Sequence, residues 1–95
     1  MIVNRMTVTA KQGRMEELIE LLKEGRKQGG YDFRLYQSSL GTYDQIAYEF
    51  EFEDMAAFEK FWAEWNALPE TPAFLEKWNY MTKAGGTNEI WWLIK

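Results

Sequence analysis

The sequence predicts an α+β domain in which two strand-helix-strand units share one antiparallel sheet. Three observations predict it. Residues Tyr43 to Phe52, YDQIAYEFEF, set Ile46, Tyr48, Phe50 and Phe52 on one side and Gln45, Glu49 and Glu51 on the other, which is the period of a half-buried strand. Met15, Leu18, Ile19 and Leu22, and later Phe58, Phe61, Trp62 and Trp65, recur at helical spacing. Such segments follow one another as strand, helix, strand, strand, a helical segment in two pieces, and strand, without linker or low-complexity sequence, so one domain over residues 1–95 is expected.

Residues 2–10 alternate, with Ile2, Met6, Val8 and Ala10 opposite Val3, Arg5, Thr7 and Thr9. Asn4 alone interrupts the apolar row. Lys11-Gln12-Gly13 breaks the pattern, and the first helix follows with Glu16 and Glu17 in the first turn, where the helix dipole favours acids. Gly25 or the Gly29-Gly30 pair is expected to end it. Asp32 to Leu40 reads as a second strand, with Phe33, Leu35 and Gln37 against Arg34, Tyr36 and Ser38, joined to the next by a short hairpin at Gly41-Thr42. Asp54 can cap the second helix, and Asn66 to Glu70, with Pro69, closes it. Thr71 followed by Pro72 is a cap-and-proline start. The third helix is expected to turn Phe74, Leu75, Trp78 and Met81 inward and to stop at Gly85-Gly86. Residues 88–94 form the last strand, with Ile90, Trp92 and Ile94 opposite Glu89, Trp91 and Leu93.

This order suits the ferredoxin-like βαββαβ sandwich, with the antiparallel sheet in the order 4-1-3-2 and the helices on one face. Arg5 and Thr7 must then share the uncovered face with Glu49 and Glu51, and strand two can add Arg34, Tyr36 and Ser38 and strand four Trp91 and Leu93. A solvated sheet suits the charges, and a catalytic site on the open face is a further reading. Closure against a second copy suits the aromatic residues as well, because arginine-carboxylate pairs offset the desolvation. At 95 residues, burial is marginal without a partner. A homodimer is expected, with the two sheets pairing into an α+β barrel.

Composition narrows the chemistry. The chain has no Cys and no His, which removes disulfides, thiolate nucleophiles and the usual neutral-pH base. Eleven basic and fifteen acidic side chains give a net charge of -4 without a basic tail, a poor match to a phosphate backbone, so no nucleic acid is expected. No DxD-type motif accompanies the acids, and no metal is expected. No apolar run is long enough to span a bilayer and no signal-peptide pattern is present, so no membrane association is expected and the cytoplasm is the expected location.

Several side chains are candidates for binding. Arg5 and Glu49 read as a cross-strand ion pair, or as a carboxylate clamp and a general base. Asn4, a buried amide needing partners, either bonds to backbone or orients a ligand oxygen. Trp62 and Trp78 read as core or as the apolar walls of a pocket beside Asn4. Tyr36 and Tyr48 read as packing residues or as donors to a proton acceptor or anion.

The stretches VNRMTVTAKQGRMEELIELL and IAYEFEFEDMAAFEKFW, and the short TPAFLEKW before the final strand, resemble the dimeric α+β barrel superfamily. That group includes antibiotic-biosynthesis-type monooxygenases, NIPSNAP proteins and stress-responsive barrel domains. The resemblance implies a homodimer with a small aromatic or lipophilic ligand between sheet and helices. Haem-degrading members are similar in an Asn-Arg pair, which falls on Asn4 and Arg5, and in a Trp that falls near Trp62. Their haem-ligating His has no counterpart, and no cofactor is expected. The expected function is a dimeric protein binding a small apolar or aromatic molecule through Asn4, Arg5, Tyr36, Tyr48, Glu49, Trp62 and Trp78. The alternative is a cofactor-independent monooxygenase-like enzyme acting on a small aromatic substrate.

Overall fold

The computed structural model describes residues 1–95. Its elements are β1 (Ile2–Thr9), α1 (Met15–Gly29), β2 (Arg34–Gln37), β3 (Gln45–Phe52), α2 (Met55–Ala67), α3 (Thr71–Met81) and β4 (Thr87–Trp92). The strands form one antiparallel sheet in the order β2-β3-β1-β4, the expected ferredoxin-like α+β topology. Register fixes the faces. Ile2, Asn4, Met6 and Val8 stand opposite Phe52, Phe50, Tyr48 and Ile46, while Arg5 stands opposite Glu49 and Val3 opposite Glu51. A slip of one residue would exchange the two sets, so burial of the aromatic row locks the pairing.

The core forms where α1 lies on the sheet. Leu18 and Leu22 join Val8, Ala10 and Ile46, and Met15, Ile19, Leu35, Tyr48, Phe74, Trp78 and Met81 close around them. From this core an aromatic run crosses beneath α2 and α3. Phe33 contacts Phe50 at 4.6 Å between ring centroids, Phe50 meets Trp62 at 5.3 Å, Trp62 meets Trp65 at 5.6 Å, and Phe74 leads to Trp78 at 6.0 Å. Most of these pairs are edge-to-face or tilted, the arrangement the ring quadrupole favours. No residue of α2 is fully buried. Its aromatic stripe still packs onto β3, with the remaining ring area at the surface.

Helix ends follow from local chemistry. Asp54 caps α2 by accepting a hydrogen bond from the Ala57 N–H at 2.9 Å. Gly25 lies inside α1, which runs on to Gly29 and stops where Gly30 takes a left-handed conformation at φ 66°. Thr71 is not the cap of α3, because Glu70 holds that position and the buried Thr71 hydroxyl donates to the Trp65 carbonyl at the end of α2. The Trp65 carbonyl, which also accepts the Leu68 N–H at 3.2 Å, thereby gains a second donor at a tight helix junction. Leu75 is exposed rather than inward, one position off the stripe of Phe74, Trp78 and Met81.

Two connections are longer than expected. The hairpin between β2 and β3 spans residues 38–44, with positive φ at Gly41 and Asp44, and it leaves Leu40 and Tyr43 in solvent. Helix α3 stops at Met81 rather than at the glycine pair. Thr82 is extended there, its hydroxyl donates to the Trp78 carbonyl at 2.8 Å, and it bridges to Ala10. Pairing with β1 thus ends the helix before Gly85 and Gly86 are reached. No helix is long and apolar enough to cross a membrane.

Candidate functional site

The displaced glycines shape a cavity. Thr82 bridges Ala10, and the Lys83 N–H donates to the Thr9 carbonyl at 2.9 Å, so the returning chain first runs along β1 as a strand would. Pairing resumes at Thr87, opposite Thr7. Between those points Val8 and Thr9 of β1 face the four residues 83–86. The surplus lifts the chain away in a wide bulge. Gly85 and Gly86, at φ 101° and 100°, bring it back, and Gly86 lies so close to the Thr7 carbonyl that no side chain would fit there.

Beneath the bulge lies a cavity of about 430 Å³ between the sheet and the end of α3. Met6, Val8, Tyr48 and Trp78 give it an aromatic and aliphatic wall, while Asn79, Asn88 and Lys83 add polar groups. Tyr48 meets Trp78 edge-on at 5.9 Å. Burial pushes the Tyr48 phenol up to about 12, so at neutral pH it is a proton-bearing donor and not a base. No buried side-chain polar atom lacks a partner. The Tyr48 hydroxyl, which has no hydrogen bond within the chain, therefore reaches accessible space.

Asn4 sits beside this cavity but is wholly committed to the protein. It has no exposed surface. Its amide nitrogen donates to the Asn88 side chain at 2.7 Å and to the Glu89 carbonyl at 3.0 Å, and its oxygen accepts from the Trp62 indole at 3.1 Å. The amide joins β1, β4 and α2 and holds Asn88 at the cavity wall.

The other face of the sheet carries a separate constellation. Glu49 accepts a hydrogen bond from Arg5 at 2.6 Å and from the Tyr36 hydroxyl at 3.0 Å, and Arg34 pairs with Glu51 at 2.8 Å. A shallower hollow of about 360 Å³ adjoins it, between Arg5, Glu49 and the Trp91–Ile94 segment. Burial alone would raise the Glu49 pKa, but the hydrogen bonds from Arg5 and Tyr36 and the charges of Arg5 and Arg34 outweigh it and hold the carboxyl below its ordinary range. A depressed folded-state value contributes stability above the unfolded value, which is lost as pH falls through the folded one. Glu49→Gln should therefore cost about 1 kcal/mol at neutral pH. Urea titrations should show that difference vanish below the ordinary carboxylate range; a cost persisting there would mean packing, not charge.

The sheet thus divides the seven residues singled out in the sequence. Tyr48 and Trp78 line the cavity, Asn4 and Trp62 are bonded to each other beside it, and Arg5, Tyr36 and Glu49 cluster on the opposite face. The cavity also uses Asn79, Lys83 and Asn88, which the sequence reading passed over. The available signal was the glycine pair standing between a helix end and the start of a strand. No group of three or more acids is placed to hold a metal ion.

Neither a family model nor a curated protein matches this sequence. Solved structures do match the fold. An uncharacterized NIPSNAP domain protein from Burkholderia xenovorans is 14% identical, with 99% of this chain and 95% of that one covered and a TM-score of 0.86. A NIPSNAP family protein from Agrobacterium tumefaciens is also 14% identical, with 96% and 90% covered and a TM-score of 0.82. An antibiotic biosynthesis monooxygenase is 13% identical over 100% of both chains, with a TM-score of 0.75. The chain accordingly has the fold of NIPSNAP domain proteins and of antibiotic-biosynthesis-monooxygenase-like proteins.

Proposed function

We propose that this chain is a single-domain, homodimeric small-molecule-binding protein that holds an apolar or aromatic molecule between sheet and helices. The observation that carries this reading is the cavity of about 430 Å³ lined by Tyr48 and Trp78, whose rings meet edge-on. A rigid aromatic wall with a few convergent donors suits a small planar ligand bearing an oxygen. Asn4 contributes by orienting Asn88, and Trp62 by holding Asn4.

The dimer is supported by the uncovered face. Trp91 and Leu93 are half exposed at one edge of it and Tyr36 at the other, and the charges between them are already paired with one another. Apolar area flanked by neutralised charge can be buried at low desolvation cost. A second copy brought against this face would enclose Arg5, Tyr36 and Glu49 at the joint.

Two measurements test the reading. Light scattering at micromolar concentration should give twice the 11.3 kDa chain mass; the monomer mass would remove the dimer. Titration with naphthalenemethanol, followed by amide NMR, should shift Met6, Tyr48, Trp78 and Asn88 together. Shifts confined to the open face, or none, would remove the cavity as the binding site. A monooxygenase-like activity on a small aromatic is the second reading, favoured by the fold shared with an antibiotic biosynthesis monooxygenase and by a Tyr48 phenol held in its protonated, donating form. Oxygen uptake with an electron-rich phenol and no added cofactor separates turnover from binding.

A further inference from the structure

The cavity has an electrostatic character that sets it apart from the rest of the chain. Fifteen Asp and Glu residues give the protein a net charge of -4, yet no carboxylate lines this cavity, and the one charged group there is Lys83. Lys83 takes part in none of the salt bridges, all of which belong to Arg5, Arg14 and Arg34. The neighbouring polar groups are donors or can turn to donate. Beside the Thr7, Thr82 and Thr87 hydroxyls, which bond within the chain, they are the Tyr48 hydroxyl, which burial keeps protonated, and the Asn79 and Asn88 amides. The bulge adds backbone donors, since the N–H groups of Ala84 and Gly85 bond to no acceptor in the chain.

An unpaired cation among neutral donors, beside an aromatic wall, is half of a recognition site. A positively charged ligand would meet Lys83 with no acid to offset it. A neutral hydrocarbon would leave the ammonium and the amide groups without partners wherever it displaced their water. One negative charge on a small ring satisfies both sides of the cavity at once, through a charge-assisted hydrogen bond at one end and ring packing at the other.

We propose that the cavity selects small aromatic monoanions, aromatic carboxylates in the first instance, with the ring against Tyr48 and Trp78 and the carboxylate at Lys83 and the bulge backbone. This rests on the cavity being the binding site and adds the charge of what it takes. It also gives the glycine pair a role. By lifting the chain off β1, the bulge exposes N–H groups that a regular strand would have spent on its neighbour.

Calorimetric titration of the intact protein with naphthoate, naphthalenemethanol and naphthalenemethylamine, three probes alike in ring and different in charge, tests the proposal. Naphthoate should bind about tenfold more tightly than the alcohol, with an affinity that weakens as salt is added, and the amine should bind least. Lys83→Met, at an exposed side chain whose loss leaves the fold intact, should bring naphthoate to the level of the alcohol. Equal binding of all three probes, or a naphthoate preference that survives Lys83→Met, would overturn the anion selectivity and leave the cavity itself standing. Failure of every probe to bind would overturn both.

Discussion

Asn4→Ala should lower the stability of the fold by about 3–4 kcal/mol, the largest loss expected from a single polar side chain here. The reason lies in what the amide leaves behind. Its oxygen accepts from the Trp62 indole, and its nitrogen serves the Asn88 side chain and the Glu89 carbonyl, all with no exposure at Asn4 itself. Truncation strands the indole N–H and the Glu89 carbonyl and opens a void beneath α2. Asn88 is at the surface and can turn to water, so it adds little to the cost. For a domain of this size the change should appear as a fall in melting temperature on the order of 15 °C.

A mutant cycle separates the bond from the void. Trp62→Phe removes the donor and keeps a ring against Phe50, so it should cost about 1–2 kcal/mol. Asn4→Ala with Trp62→Phe should then cost less than the sum of the two by about 1 kcal/mol or more, because neither partner is left stranded by the other's loss. Strict additivity in urea titrations would mean that the 3.1 Å contact contributes nothing.

These contacts mark where the sequence stops being informative. Strand parity was legible because Ile46, Tyr48, Phe50 and Phe52 can share a buried face in only one register, and that register delivers Glu49 to Arg5. Asp54 was legible because capping is local. Asn4 was visible as an exception in an apolar row, but its partners lie 58 and 84 residues away and no spacing rule connects them. Thr71 and the glycine pair carried signals that tertiary pairing redirected. A threonine before proline reads as a cap, yet burial against the end of α2 makes its hydroxyl a donor to Trp65 instead. Arg34 and Tyr36 reach Glu51 and Glu49 because β2 pairs with β3 in the register that sets Arg34 opposite Glu49.

The glycine pair leads to the other large effect. Gly86→Ala should destabilise the protein by about 2–4 kcal/mol, combining the cost of a left-handed conformation with that of overpacking. At φ 100° the backbone is strained for any residue with a Cβ, and that carbon would press into the Thr7 carbonyl oxygen, part of β1 and unable to give way. The neighbouring Gly85 separates the two causes. It has a nearly identical φ of 101° but nothing within 4 Å of where a Cβ would stand, so Gly85→Ala carries the backbone term alone, about 1 kcal/mol. Thermal melts of the two variants should therefore differ, with Gly86→Ala the lower. The lost contact also lies at the joint where β4 rejoins β1, so hydrogen exchange in Gly86→Ala should accelerate at Thr87 and Asn88 before it does so in β3. Equal melting of the two alanine variants would mean that close approach to Thr7 does not hold the bulge, and that the cavity beneath it owes its shape to the φ values alone.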